Sequence, residues 1–333
     1  MIEVRNLTKT YMTHERGHTL REVTRNLIKR PMKEIKAVHD LSFTVPQGEM
    51  LAFLGPNGAG KSTTLKILTG VLHPTTGEVK ALGFVPWKQR RQYVGRIGAV
   101  FGQKSQLLWD IPPVDAFYMN KAIYGVPERQ YQSTLNDLTE LLGVGDIIRK
   151  PTRQLSLGER MKCEFIMAML HRPEIVFLDE PTIGLDMIAK ENIRHFIRSM
   201  NGQGVTFILT THDLEDVELL AERVIVINHG EIVVDDSLAM LRSRLGDKKS
   251  VRLTMETVVP DIRIQGITVT ERKGPLELAL EIDTSVLPLK RFIREFNEVY
   301  GIVDMAIDAI PIESIMKELY MAEAAEESAA AKS

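Results

Sequence analysis

Thiol chemistry is almost absent from this sequence: 333 residues contain one cysteine, Cys163. One thiol cannot close an internal disulfide, which agrees with a reducing cytosol. Cys163 sits in an apolar helical stretch and reads as a small core residue. Long apolar runs are missing as well. None approaches the roughly 18 uninterrupted apolar residues that cross a bilayer, so a membrane would be met from its cytoplasmic side. No secretory leader is expected, because the chain opens on the strand-like Met1-Ile2-Glu3-Val4. Neither sign of charge dominates: 42 Lys and Arg face 44 Asp and Glu, a net of −2, which gives no global reason to expect nucleic acid. No internal repeat and no second glycine-rich phosphate loop is visible. What remains is a globular composition, with length for one large domain and one smaller.

The stretch around which the rest is arranged is Gly55-Pro56-Asn57-Gly58-Ala59-Gly60-Lys61-Ser62-Thr63. It follows the apolar run Met50 to Leu54, read as a buried strand. It precedes Thr64 to Leu68, read as the first turns of a helix. The pattern G-x-x-x-x-G-K-[ST] is trusted only in that context. Its glycines let successive backbone N–H groups turn inward around an anion, and the helix N-terminus adds partial positive charge. Lys61 would reach the β- and γ-phosphates of a nucleoside triphosphate, and the Ser62 hydroxyl would hold Mg²⁺.

Strands are predicted at Met1 to Val4 and Leu41 to Val45, with Pro46-Gln47-Gly48 a turn before the phosphate-loop strand. Between them lies an excursion, His14 to Lys36. It carries Arg16, Arg21, Arg25, Lys29, Arg30, Lys33 and Lys36 against Glu15, Glu22 and Glu34. Leu20, Val23 and Leu27 fall at helical spacing, which predicts a basic amphipathic helix ending by Pro31. A solvated surface helix and a cationic contact with lipid headgroups or a membrane partner both account for it. Further strands are expected at Glu78 to Leu82 and Ile97 to Phe101. Helix is expected over Val114 to Leu142, broken at Gly125-Val126-Pro127.

Leu155-Ser156-Leu157-Gly158-Glu159-Arg160 opens a helix toward His171. Ile175 to Leu178 and Val205 to Leu209 are apolar runs that end in Asp179-Glu180 and Thr210-Thr211-His212-Asp213. Such runs, separated by helices, mean a sheet covered on both faces, hence α/β. After Asp235 the pattern changes. Val251 to Met255, Ile267 to Glu271 and Leu276 to Ile282 alternate apolar and polar residues, with a hairpin turn at Lys273-Gly274-Pro275. A helix over Leu287 to Tyr300, a strand over Ile302 to Ile307 and a helix over Pro311 to Tyr320 complete a small α+β domain. The expected boundaries are 1–238, 239–320 and a disordered tail, 321–333.

Phosphoryl transfer to water needs a metal-positioning acid and a group that orients the water. Asp179 is expected at the end of a buried strand beside the phosphate-loop strand, holding Mg²⁺ through water. Glu180 then polarises the attacking water. Burying two successive acids is costly without a cation or partner, so they point to chemistry more than to an acidic turn.

With these motifs in this order, the sequence resembles the nucleotide-binding subunit of ABC transporters from about Met1 to Asp235. Gly55 to Ser62 looks like Walker A and Ile175 to Glu180 like Walker B. Leu155-Ser156-Leu157-Gly158-Glu159 looks like the family signature L-S-G-G-Q, departing from it at Leu157 and Glu159. Gly184-Leu185-Asp186 resembles the D-loop, and His212 stands at the switch-histidine position. Gln103 is favoured for the Q-loop glutamine, with Gln106 also available. The resemblance implies a P-loop NTPase domain of ABC type, a mixed sheet core with a helical subdomain, followed by the α+β domain. It implies ATP and Mg²⁺, a metal touched by Ser62, Gln103 and Asp179, and catalysis by Glu180, His212 and Gln103. The phosphate loop and Asp186 would contact nucleotide. Tyr11 matches the aromatic that stacks on adenine, although plain packing also explains it, and the excursion lengthens the loop after it.

The same resemblance implies a head-to-tail pair, with ATP between one subunit's phosphate loop and the other's Ser156 and Gly158. Ser156 would donate to the γ-phosphate and Gly158 would expose its N–H, yet Ser156 and Glu159 also suit an ordinary helix cap. Cargo is not fixed by fold. A separate integral membrane permease is expected, touched near the Q-loop and Leu107 to Met119, with the subunit peripheral on the cytoplasmic face. The layout looks like ABC-2 type exporter ATPases. Polysaccharide-export ATPases, importer ATPases and soluble ABC ATPases of translation or DNA are the alternatives, and no nucleic-acid partner is expected.

Overall fold

The computed structural model describes residues 1–14, 32–102, 104–244, 248–260, 262 and 264–310. The predicted helix after His14, Gln103, the helix after Pro311 and the tail therefore lie outside the described residues. The chain divides into two compact units, Met1–Asp236 and Ser237–Ser333.

The first unit is built on two sheets. One has the order β2 (Met32–Val45), β1 (Ile2–His14), β4 (Thr76–Ala81), all antiparallel. The other runs β5 (Ile97–Phe101), β6 (Ile175–Asp179), β7 (Thr206–Thr210), β3 (Met50–Leu54), β8 (Arg223–Asn228), β9 (Glu231–Ser237). Pairings from β5 through β8 are parallel, and β3 and β7 are buried at every position. That burial explains their apolar sequences, because both faces of the sheet are covered. The two sheets meet through Phe43 and Phe53, whose rings pack edge to face at 5.3 Å.

Among the described residues the helices of this unit are α1 (Lys61–Leu68), α2 (Arg90–Val94), α3 (Pro113–Tyr124), α4 (Glu128–Leu142), α5 (Leu157–Met169), α6 (Met187–Gly202) and α7 (Leu214–Leu220). The break between α3 and α4 has a simple cause. Gly125 closes α3 in the left-handed conformation, φ 62°, and Pro127 opens α4 as its N-cap. Among the described residues, no helix is long and apolar enough to cross a membrane.

Two expectations need correction. Both first strands are longer than predicted, so Tyr11 lies in β1 opposite Ile35 and not on a loop. The pairing with β4 stops at Thr8, and beyond it β1 and β2 form a two-stranded ribbon. Tyr11, Met12 and Ile35 are all exposed there, so no buried face imposes the alternation by which strands are recognised. The second correction concerns Asp179. Its strand, β6, is not beside the phosphate-loop strand β3, because β7 is inserted between them.

In the second unit α8 (Leu238–Arg244) precedes an antiparallel sheet of order β11 (Ile267–Arg272), β12 (Glu277–Asp283), β10 (Lys248–Met255), β13 (Ile302–Ala309). Alternation places Val251, Leu253, Leu278, Leu280 and Ile282 on one face. Helix α9 (Leu289–Tyr300) lays Phe292 and Phe296 into the same core.

Candidate active site at the phosphate loop

The phosphate loop leaves the C-terminal end of β3 and enters α1 directly. Its glycines are required by close approach. A Cβ on Gly55 would lie 2.1 Å from the Ile227 carbonyl oxygen, and one on Gly60 would lie 2.5 Å from that of Ala37. At Gly58, φ 86°, a Cβ would meet nothing within 4 Å, so that side of the loop is open. Gly60 is the N-cap of α1 and brings no side chain to its first N–H groups, which suits them to an anion. The loop is braced from behind by Gly230, whose N–H donates to the Ala59 carbonyl at 3.0 Å.

Lys61 is only 5% exposed, and its Nζ donates to the carbonyls of Gly55 at 2.6 Å and Pro56 at 3.0 Å. Burial lowers its pKa, while the nearby charges of Glu180 and Asp179 act to raise it. Ser62 Oγ donates to Asp179 Oδ1 at 2.9 Å, and Thr210 Oγ1 donates to the same oxygen at 2.5 Å. The inserted strand β7 therefore carries the residue that closes the gap between β6 and the loop. A hydroxyl and a carboxylate this close are hard oxygen donors of the kind Mg²⁺ takes.

Glu180 follows in the left-handed conformation, φ 52°, and its Oε1 lies 3.1 Å from His212 Nδ1. Its N–H is held by the Thr210 carbonyl at 2.9 Å. Gly102 lies against it: a Cβ there would sit 2.1 Å from the Glu180 carbonyl oxygen. A small cavity of about 100 Å³ beside Glu180 and His212 is lined also by Thr182, Lys190, Thr211 and Asp213. Behind it, Asp216 is fully buried, bonded to Thr182 and to Arg194 at 2.7 Å, which ties the segment after Glu180 to α6 and α7. A larger groove, about 810 Å³, is lined by α4, α5 and α6 residues such as Asp137, Met169 and Met200 and includes none of the predicted site residues.

Thus Lys61, Ser62, Asp179, Glu180 and His212 form one cluster. A second gathers around the starts of α5 and α6. Ser156 is the N-cap of α5: its Oγ accepts from the Glu159 N–H at 3.2 Å, and its own N–H donates to Glu159 Oε2 at 2.8 Å. This is the capping box, and it uses the hydroxyl as an acceptor only, so the Ser156 proton remains free to donate outward. A Cβ on Gly158 would meet Ala189 Cβ at 2.9 Å, so the glycine brings α5 against α6. Asp186 caps α6, its Oδ1 accepting from the Ala189 N–H at 2.8 Å. Among the described residues no hydrogen bond joins Ser156 or Asp186 to the phosphate loop. Tyr11 stands apart on the ribbon, with Lys9 Nζ 5.2 Å from its ring centre. Gln106 donates its side-chain N–H to the Ala99 carbonyl at 2.6 Å.

Sequence reasoning missed Thr210, Gly102 and the Arg194–Asp216 pair. Only Thr210 carried a usable signal, a hydroxyl residue closing a buried apolar strand. Thr210→Val should raise the Mg²⁺ concentration needed for half-maximal ATP hydrolysis by on the order of tenfold, as one charge-assisted hydrogen bond is lost. Thr210→Ser should restore it. A magnesium titration unchanged in the Val variant would remove Thr210 from the site.

A parallel sheet with this loop at the end of a central strand, and paired acids facing it, defines a P-loop NTPase. A family model described as "ABC transporter" matches residues 38–183. The ABC transporter ATP-binding protein NatA of Bacillus subtilis is 32% identical over 209 residues, 63% of this chain and 85% of the relative. The linearmycin resistance ATP-binding protein LnrL of the same organism is 28% identical over 260 residues, 78% and 83% of the two chains. A solved ATP-binding subunit of an ABC transporter shares the fold, with TM-score 0.61 over 74% of this chain and 93% of that one at 23% identity. The chain belongs to the ATP-binding proteins of ABC transporters. Its reaction is ATP hydrolysis, coupled to transport by a separate membrane permease.

Proposed function

We propose that the chain is the ATPase of an exporter, working as a head-to-tail pair on the cytoplasmic face of a multi-span permease. The observation that carries the chemistry is Asp179 Oδ1, shared by Ser62 and Thr210, with Glu180 next in sequence and in contact with His212. Ser62 and Asp179 would hold Mg²⁺, and Lys61 the β- and γ-phosphates. The metal, when bound, neutralises charge developing on the phosphates. Glu180 accepts the proton of the attacking water, and its left-handed backbone and His212 fix where its carboxylate points. His212, more than half exposed, is placed to report the γ-phosphate as the pair closes. Ser156 and Gly158 would complete the partner's site.

The export direction is supported by relatives named for linearmycin resistance and for lantibiotic transport, the latter SrtF of Streptococcus pyogenes at 31% identity. A cobalt import ATP-binding protein of Rhodobacter capsulatus, 33% identical over 212 residues, supports the opposite direction. Cargo accumulating inside vesicles bearing outward-facing ATPase sites would be export. Depletion from them would be import.

Permease contact is assigned to the exposed apolar residues Leu108, Trp109, Tyr118, Met119 and Ile123. Buried aromatic anchors dominate interface energies, so Trp109→Ala should weaken retention on washed membranes of the parent cells by about 30-fold. Undiminished retention would move the contact elsewhere.

A further inference from the structure

Glu164 is a buried acid that the chemistry above does not use. It lies on α5, two turns beyond Ser156, and is 4% exposed. A single oxygen, Oε1, accepts from Ser105 Oγ at 2.5 Å, the Gln106 N–H at 2.9 Å and the Leu107 N–H at 3.4 Å. Burial raises its pKa, opposed by those three bonds and by the charge of Arg160. An acid in such a place is disfavoured unless its donors converge on it, and here they come from one turn. That turn follows β5 and leads directly into Leu108 and Trp109, which are 51% and 57% exposed. Helix α5 is also tied to α3, because Asn120 Nδ2 donates to the Met167 carbonyl at 2.9 Å.

We propose that Glu164 is a positioning residue that locks the 105–107 turn to α5 and, together with the Arg153 N–H bond to the Trp109 carbonyl at 3.0 Å, makes residues 105–109 and Ser156 move as one body. Ser156 and Glu164 are about 12 Å apart along a helix, which transmits displacement without bending over so short a length. A state of the nucleotide site that holds Ser156 is then felt at Leu108 and Trp109, and the reverse follows by linkage. The idea rests on the reading of Ser156 as a nucleotide-facing residue and of Leu108–Trp109 as the permease contact.

Amide hydrogen exchange on the full chain tests it, in a Glu180→Gln background with and without ATP and Mg²⁺. ATP is expected to slow exchange at 156–160 and at 105–109 together. With Glu164→Ala added, the slowing at 105–107 should fall by on the order of tenfold, while that at 156–160 persists. Should the Ala variant fail to melt cooperatively, Ser105→Ala serves instead. It lies on an exposed turn, removes one of the three donors, and should reduce the slowing by about fivefold. An ATP response at 105–107 that survives without Glu164, or that is missing with it, overturns the lock alone. An ATP-silent 156–160 in the parent overturns the paired-site reading, and the lock with it.

Discussion

Lys61→Ala should lose ATP by a factor between about 30 and several thousand. That is the range for truncating one partner of a buried charge pair. The geometry explains why so much rests on one side chain. Lys61 Nζ is already held against the open loop by the Gly55 and Pro56 carbonyls, so its charge is pre-positioned and needs little reordering. The fold should survive the change. Burial lowers the Lys61 pKa, meaning that at neutral pH its charged form is disfavoured in the folded chain relative to the unfolded one. Deleting it removes that penalty, which offsets the two carbonyls left without their donor. A thermal melt separates the two effects. Without nucleotide, wild type and variant should melt within a few degrees of one another. With ATP at about 100 times the wild-type Kd, wild type gains about 2.7 kcal/mol and the variant almost none. An equal ATP-induced shift in the variant would remove the phosphate-loop assignment.

Reading the sequence served best where one local rule decided the outcome. Strands β3, β6 and β7 are mainly apolar runs, closed by the phosphate loop, by Asp179-Glu180 and by Thr210-Thr211, and the structure has them within a residue of expectation. The capping box at Ser156 follows from spacing alone. Strand order was not legible, since three similar apolar runs carry no label saying which pairs with which. That is how β7 came to be overlooked as the neighbour of β3, and Thr210 with it. The ribbon beyond Thr8 was hidden for the opposite reason, having hydrogen bonds but no buried face. Glu164 shows the limit most clearly. A glutamate inside a helix reads as solvent-facing, and only the return of a turn 57 to 59 residues earlier in sequence makes it an internal acceptor.

The same local geometry makes Glu180→Gln the sharper test of mechanism. Glutamine keeps the volume of the side chain and an oxygen that can face His212 Nδ1, now at 3.1 Å. What disappears is the carboxylate that takes a proton from water. Hydrolysis should fall by roughly 10²–10⁴-fold, the range for a positioned general base. ATP binding should remain, because Lys61, Ser62 and the loop amides are untouched. Nucleotide that is bound but not consumed stabilises any state in which it is sandwiched, so the Gln variant should accumulate as a dimer only when ATP and Mg²⁺ are present. Light scattering reads this directly. The control is a Glu180→Gln, Ser156→Arg double variant. Ser156 is exposed at the start of α5, so an arginine fits the single subunit and costs about 1 kcal/mol for the lost cap. It cannot fit against a partner's phosphate loop, and the dimer should vanish. Wild-type hydrolysis by the Gln variant would move the base elsewhere, with His212 next in line. A dimer that forms equally without nucleotide would shift the pairing surface away from Ser156 and Gly158, to the unit that begins at Ser237.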